Sequence, residues 1–283
     1  MIVVTGTKRS GTSMWMQVLG AAGLRVLGEP FPKAWTFSIR QANPRGFFET
    51  GLRRGIGPQD AAALEEGTVV KVFAPGVLAT DAALLGRVVV TVRDWRSQAA
   101  SLERLYALED GWWARRPLAP GETEERRQAR LQRVRSLRGL VPASVEWFLE
   151  NLALVRDARV RRYPHHLVTY GAMLADPAGR ARAVLEWVGR GDPVAAARAV
   201  EPELRNFAHP LVPASGSALD PQTIREFDAF YAALQRICAE PAPAEAGRLP
   251  PDLLERLDAV EAALQARWAG QPRWQDAWDD PDT

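Results

Sequence analysis

Four short β-branched or apolar runs, separated by helix-length stretches, constrain this chain more than any other feature. They are Ile2 to Val4, Thr68 to Phe73 (TVVKVF), Arg87 to Val92 (RVVVTV) and His166 to Tyr170 (HLVTY). The third is continuous and β-branched, the pattern of a strand buried on both faces. Gly11 to Ala22 carries Met14, Val18 and Leu19 at helical spacing. Asp94 can cap a helix over 95–107, and another helix is predicted over roughly 177–189. Strands joined through helices run parallel, so the expectation is an α/β fold with a mainly parallel central sheet flanked by helices.

The C-terminal third reads as helical. Asp220-Pro221 places a cap residue before a proline at the first helical position, and Ile224, Phe227, Tyr231, Leu234 and Cys238 keep one face. Residues 240–251 (EPAPAEAGRLPP) read as a linker, and Leu253, Leu254, Leu257, Val260 and Leu264 as a second amphipathic helix. The expected organisation is one α/β domain over 1–270, with an Arg-rich helical insertion at about 108–140. A tail over 271–283 carries Trp274 and Trp278.

Composition excludes several classes. With 47% hydrophobic residues, 10 Trp and 9 Phe, the chain is too apolar to stay unfolded. A single cysteine, Cys238, excludes a disulfide scaffold. Against 34 acidic residues, 36 basic ones leave a net charge of +2, which calls for neither nucleic acid nor a membrane surface. The uncharged stretch Ser10 to Leu24 is shorter than the ~20 residues that span a bilayer. The four-residue apolar run at the N-terminus is too short for a signal-peptide core. A cytoplasmic protein without membrane insertion is expected. Only three of the basic residues are lysines, Lys8, Lys33 and Lys71.

Lys8 falls in the most informative stretch, Gly6-Thr7-Lys8-Arg9-Ser10-Gly11-Thr12-Ser13, between the first strand and the first helix. The stretch is close to the phosphate-binding pattern G-x-x-x-x-G-K-[ST]. Glycines let successive backbone N–H groups point inward, and the helix N-terminus adds partial positive charge. Ser10, Thr12 and Ser13 add hydroxyls. Thr12 stands where a nucleotide hydrolase has lysine, and the positive charge has moved to Lys8 and Arg9. The bland alternative is a Gly/Ser-rich turn with no ligand. At the end of the third strand stands Arg93, with Ser101 eight residues on. Ligands of open α/β sheets bind at that end, and an arginine fork beside a hydroxyl suits a phosphate monoester. The alternative there is an Arg93–Asp94 ion pair.

Arg9-Ser10-Gly11-Thr12-Ser13 resembles the 5′-phosphosulfate loop of sulfotransferases that use 3′-phosphoadenosine 5′-phosphosulfate (PAPS). Val92-Arg93-Asp94 through Ser101 is similar to the same family's 3′-phosphate motif. Val168 to Pro177 is similar to its Tyr-Glu-Asp-Leu stretch, with Gly171 and Ala172 replacing the acids. Asn43 to Glu49 (NPRGFFE) resembles a block of its bacterial members. The likeness runs in order over about residues 2–190.

The resemblance implies a P-loop-like fold and metal-independent transfer of a sulfuryl group from PAPS to a hydroxyl or amine of a small-molecule acceptor. It implies that Arg9 neutralises charge on the bridging oxygen, that Ser10, Gly11, Thr12 and Ser13 hold the 5′-phosphate beside Lys8, and that Arg93 and Ser101 hold the 3′-phosphate. Tyr170 would contact adenine. Many members carry a catalytic His in a Lys-x-His strand end; here that stretch is Lys71-Val72-Phe73, so a carboxylate is expected instead, Glu29 first and Glu49 second. A small-molecule kinase with an Arg-rich lid is one alternative, and a nucleotide-binding protein without catalysis the other. Residues 115–138 hold eight arginines and three glutamates after Trp112 and Trp113, which suits a lid or acceptor-binding segment or else a solvated helical face. Arg205 and the turn at 213–216 fall where the family closes over its nucleotide.

Overall fold

A computed structural model describes residues 1–31, 40–52, 54–204, 219–239 and 249–268. Four strands, β1 (Ile2–Thr5), β2 (Val69–Lys71), β3 (Arg87–Val92) and β4 (His165–Thr169), form one sheet in the order β2-β1-β3-β4. Every pairing is parallel, with Val4 beside Lys71 and Val89, and Val92 beside Thr169. Each crossover contains at least one helix, as parallel neighbours require.

The helices are α1 (Thr12–Ala21), α2 (Pro58–Ala63), α3 (Ala74–Ala79), α4 (Trp95–Arg115), α5 (Glu124–Leu140) and α6 (Ala143–Arg161). Then follow α7 (Tyr170–Ala175), α8 (Pro177–Val188), α9 (Pro193–Arg198), α10 (Pro221–Ala239) and α11 (Pro251–Arg267). Alternation along the strands divides the core into two layers. Val3, Val70, Val72, Val88, Val90 and Val92 face α3, α6, α10 and α11, whereas Ile2, Val4, Val69, Val89 and Val168 face α1, α8 and α9. The sheet is therefore covered on both faces, which is why its strands read as unbroken apolar runs.

Local chemistry sets the boundaries. Asp94 caps α4 by accepting Ser97 N at 2.8 Å, and Asp220 caps α10 by accepting Thr223 N at 2.9 Å. The ladder of β2 is shorter than the expected 68–73, because α3 begins at Ala74 with a proline in its first turn and Phe73 at its N-cap. Tyr170 leaves the expected fourth strand and opens α7, where Thr169 Oγ1 accepts Ala172 N at 3.2 Å. Helix α4 runs past the expected 107 to Arg115. Pro251, expected in the linker, is the first residue of α11. The rest of that linker up to 248, Arg205, the turn at 213–216 and the tail 271–283 lie outside the described residues. Cys238 and Trp147 are buried in the core as expected, while Trp187 is half-buried against His166. No helix among the described residues is long and apolar enough to cross a membrane.

Candidate functional site

The loop between β1 and α1 sits at the C-terminal end of the sheet. Gly6 has φ +152°, and a Cβ there would stand 2.3 Å from Thr91 O and 2.5 Å from Ser10 Oγ. Only glycine lets the loop approach β3 this closely. Gly11 has φ +112°, and a Cβ there would stand 2.9 Å from the ring of Tyr170. Between them Arg9 is itself left-handed, with φ 69°, a conformation that costs a residue other than glycine energy and persists where its surroundings impose it. Those surroundings are visible: Ser10 N donates to Thr7 O (3.1 Å), Thr91 Oγ1 to Ser10 O (3.1 Å) and Thr7 Oγ1 to Gln98 Oε1 (2.9 Å). The loop is thus clamped to β3 and α4. Within it the Ser10 hydroxyl is fully buried and has no hydrogen-bond partner. A buried hydroxyl in that condition is costly, and a phosphate-type acceptor would satisfy it.

The two arginine motifs meet here. Arg9 Nε donates to Ser101 Oγ at 3.0 Å, and an Nη of Arg9 donates to Ala42 O at 3.0 Å. Ser101 accepts, so its own proton stays available for an anion. Arg93, almost fully buried, donates through Nε to Ser97 Oγ at 2.9 Å and through an Nη to Arg9 O at 3.5 Å. Its guanidinium carbon lies 4.6 Å from the centre of the Tyr170 ring. Trp147 Nε1 fixes the Arg93 carbonyl at 2.8 Å. The Asp94 carboxylate is engaged at the α4 cap.

Two neighbouring cations, Arg9 half-buried and Arg93 buried, raise the local potential. Arg9 is pulled down to about 10 by burial first and by the charge of Arg93 second. It remains protonated at neutral pH. Lys8 is half-buried, its Nζ 5.4 Å from the centre of the Tyr106 ring, and is lowered to about 8. Burial is the larger cause; Arg138 adds to it, while Glu109, Glu146 and Glu49 oppose it.

The expected hydroxyls differ in availability. Ser13 Oγ donates to Phe47 O at 3.1 Å, so its proton is already engaged in this structure. The same carbonyl accepts from Lys71 Nζ. Lys71 is buried at the end of β2, beside Val4, and pairs with Glu49 Oε1 at 2.5 Å. The Glu49 side chain is only 13% exposed. Glu29 is bridged to Glu49 through the backbone, Glu29 N donating to Glu49 O at 3.3 Å, but the residue is exposed. Gly28, with φ +111°, passes so close to Phe48 O that a Cβ would stand 2.7 Å from it, which sets this two-segment crossing. Lys71 is the residue that motif reading left without a role. Its signal was there: one of three lysines in an arginine-rich chain, at a strand end.

Neither a protein-family model nor a curated protein matches this chain.

Proposed function

We propose that this chain is a sulfotransferase on a P-loop-like fold. It would move the sulfuryl group of PAPS to a hydroxyl or amine of a small-molecule acceptor without using a metal. The observation that carries the reading is the 3.0 Å hydrogen bond from Arg9 to Ser101, with Arg93 against the backbone of Arg9. It joins the loop that resembles a 5′-phosphosulfate site to the pair that resembles a 3′-phosphate site. The orphaned Ser10 hydroxyl inside the loop supports the same reading.

On this reading the acceptor oxygen or nitrogen forms a bond to sulfur as the bond from sulfur to the bridging oxygen breaks. The electron pair stays on the bridging oxygen, where Arg9 meets the growing charge. Lys8, Ser10, Gly11 and Thr12 surround the 5′-phosphate, and Arg93, Ser101 and Tyr170 the 3′-phosphate and base. Ser13 would have to release Phe47 O before donating to a phosphate. The acceptor's proton goes to a carboxylate, and geometry favours Glu49 over Glu29. Glu49 is held in place by Lys71 on the strand next to the loop, whereas Glu29 stands in solvent.

Calorimetric titration with 3′,5′-adenosine bisphosphate, ADP and ATP, each with and without magnesium, tests the reading. The bisphosphate should bind far tighter than ADP and without regard to magnesium. Preference for magnesium-ATP would make the loop a kinase loop instead. Tight bisphosphate binding with no transfer of sulfate from PAPS to any of a panel of phenols, alcohols and amines would leave a binding protein.

A further inference from the structure

Strand β3 reads Val88-Val89-Val90-Thr91-Val92, and Thr91 is fully buried. A valine would suit the strand as well, since both side chains are β-branched. A hydroxyl in that setting costs free energy unless it is bonded. Thr91 spends its proton on the loop, donating through Oγ1 to Ser10 O at 3.1 Å. The loop also presses on the strand at this residue, because a Cβ on Gly6 would stand 2.3 Å from Thr91 O. No side chain chosen by motif reading makes this contact.

The bond fixes more than one atom. A trans peptide is planar, with its N–H opposite its C=O. Holding Ser10 O against Thr91 therefore aims the Gly11 N–H away from β3. Ser10 N is held too, donating to Thr7 O at 3.1 Å, so both backbone groups of Ser10 are tied. Its side chain is placed as a result. A Cβ on Gly6 would stand 2.5 Å from Ser10 Oγ, so the orphaned hydroxyl lies over the Gly6 Cα, inside the loop. Neighbouring carbonyls are tied to other elements: Gly6 O accepts Ala74 N of α3 at 3.2 Å, and Arg9 O accepts Arg93 at 3.5 Å.

We propose that Thr91 is a positioning residue for anion binding: its hydroxyl holds the Ser10–Gly11 peptide so that the Gly11 N–H and the Ser10 hydroxyl serve the 5′-phosphate together. The inference rests on the loop being a phosphate site, as in the reading above. Without the hydroxyl, Ser10 O loses its donor and the peptide is free to turn over. Gly11 makes that flip cheap, because glycine accepts either sign of φ. A turned peptide would set a carbonyl oxygen against the anion in place of an N–H, and an unfavourable contact would replace a charge-assisted hydrogen bond. Arg93 and Ser101, assigned to the 3′-phosphate, make no bond to this peptide's carbonyl, so binding through the 3′-phosphate is spared.

The test is calorimetry of the full chain and its Thr91→Val and Thr91→Ser variants with 3′,5′-adenosine bisphosphate, 3′-adenosine monophosphate and inorganic pyrophosphate. Valine keeps the branched shape and serine keeps the hydroxyl; circular dichroism checks each fold. Thr91→Val should bind the bisphosphate and pyrophosphate about tenfold weaker or worse, yet bind the monophosphate like wild type. Thr91→Ser should recover most of the loss. Bisphosphate and pyrophosphate binding by Thr91→Val equal to wild type, a loss that extends equally to the monophosphate, or no recovery with serine would overturn the assignment. Failure of the nucleotide reading has a different signature: wild type would not prefer the bisphosphate to the monophosphate. Pyrophosphate, which needs only the loop, would then still read the role of Thr91, and no binding of pyrophosphate in that case would overturn it as well.

Discussion

Arg9 concentrates the physical tension of the site. It is left-handed, desolvated and next to another arginine, and each condition costs energy in the folded chain. An anion between Arg9 and Arg93 offsets the last two. Arg9→Ala should therefore leave the fold intact, since a strained cation is removed, yet lower turnover by about 2–4 kcal/mol of transition-state stabilisation. Steady-state kinetics with PAPS decide it, and near wild-type turnover would remove Arg9 from the reaction. Lys8 gives the site a pH signature. Its pKa near 8 lies below the ordinary 10.5, so the unfolded chain holds this proton more tightly. The lysine's contribution to stability accordingly rises with pH between about 8 and 10.5. Ligand affinity moves the opposite way, because a bound phosphate needs the charged amine. Bisphosphate affinity should fall as pH passes about 8. Lys8→Met should bind more weakly at neutral pH and lose the fall; an unchanged pH profile in that variant would assign the titration elsewhere.

At the scale of elements, the loop works because β1, β3 and α7 converge on it. Gly11 is the point where Tyr170, the first residue of α7, leaves no room for a side chain. Gly11→Ala should cost about 1–3 kcal/mol through left-handed strain and a clash with the ring, and should weaken nucleotide binding as Tyr170 is displaced from Arg93. Chemical denaturation and calorimetry of the same variant check both; an alanine tolerated at both levels would mean that the loop closes differently. All four strands, the caps at Asp94 and Asp220 and the loop were legible in the sequence, because period and capping are local. What lay between elements was not. Nothing local says that Glu49 meets Lys71 across two segments, that Ser13 gives its proton to Phe47, or that Arg135 and Arg138 turn back to Asp110. The arginine-rich stretch reads as uniform in sequence, and only the packing of α4 on α5 shows which of its arginines meet Glu109 and Asp110. Sequence reading ranks Glu29 ahead of Glu49, but spacing does not report burial, which under the proposed function favours Glu49.

Across the whole molecule, the aromatic core and the loop end of the sheet are one connected structure. Trp147 on α6 packs against Phe227 and Phe230 on α10, while Phe148 stacks on Phe227 at 4.6 Å between ring centres. The same Trp147 donates its indole N–H to the carbonyl of Arg93. Helix α10 also reaches the start of α4, where Asp228 accepts Trp95 Nε1 at 2.9 Å and pairs with Arg96. The C-terminal helices thus brace the residue assigned to the 3′-phosphate. Two variants separate bracing from bulk stability. Phe227→Ala removes a fully buried ring and should cost about 3–5 kcal/mol, yet it leaves the indole hydrogen bond in place. Trp147→Phe keeps an aromatic there but strands the buried Arg93 carbonyl, at about 1–3 kcal/mol for the lost partner. Measured where both variants are fully folded, the affinity ratio of 3′,5′-adenosine bisphosphate to ADP should hold in Phe227→Ala and drop several-fold in Trp147→Phe. If the ratio instead tracks stability alone, with the phenylalanine variant the worse of the two, Arg93 is positioned by the fold at large and the indole contact has no special part in it.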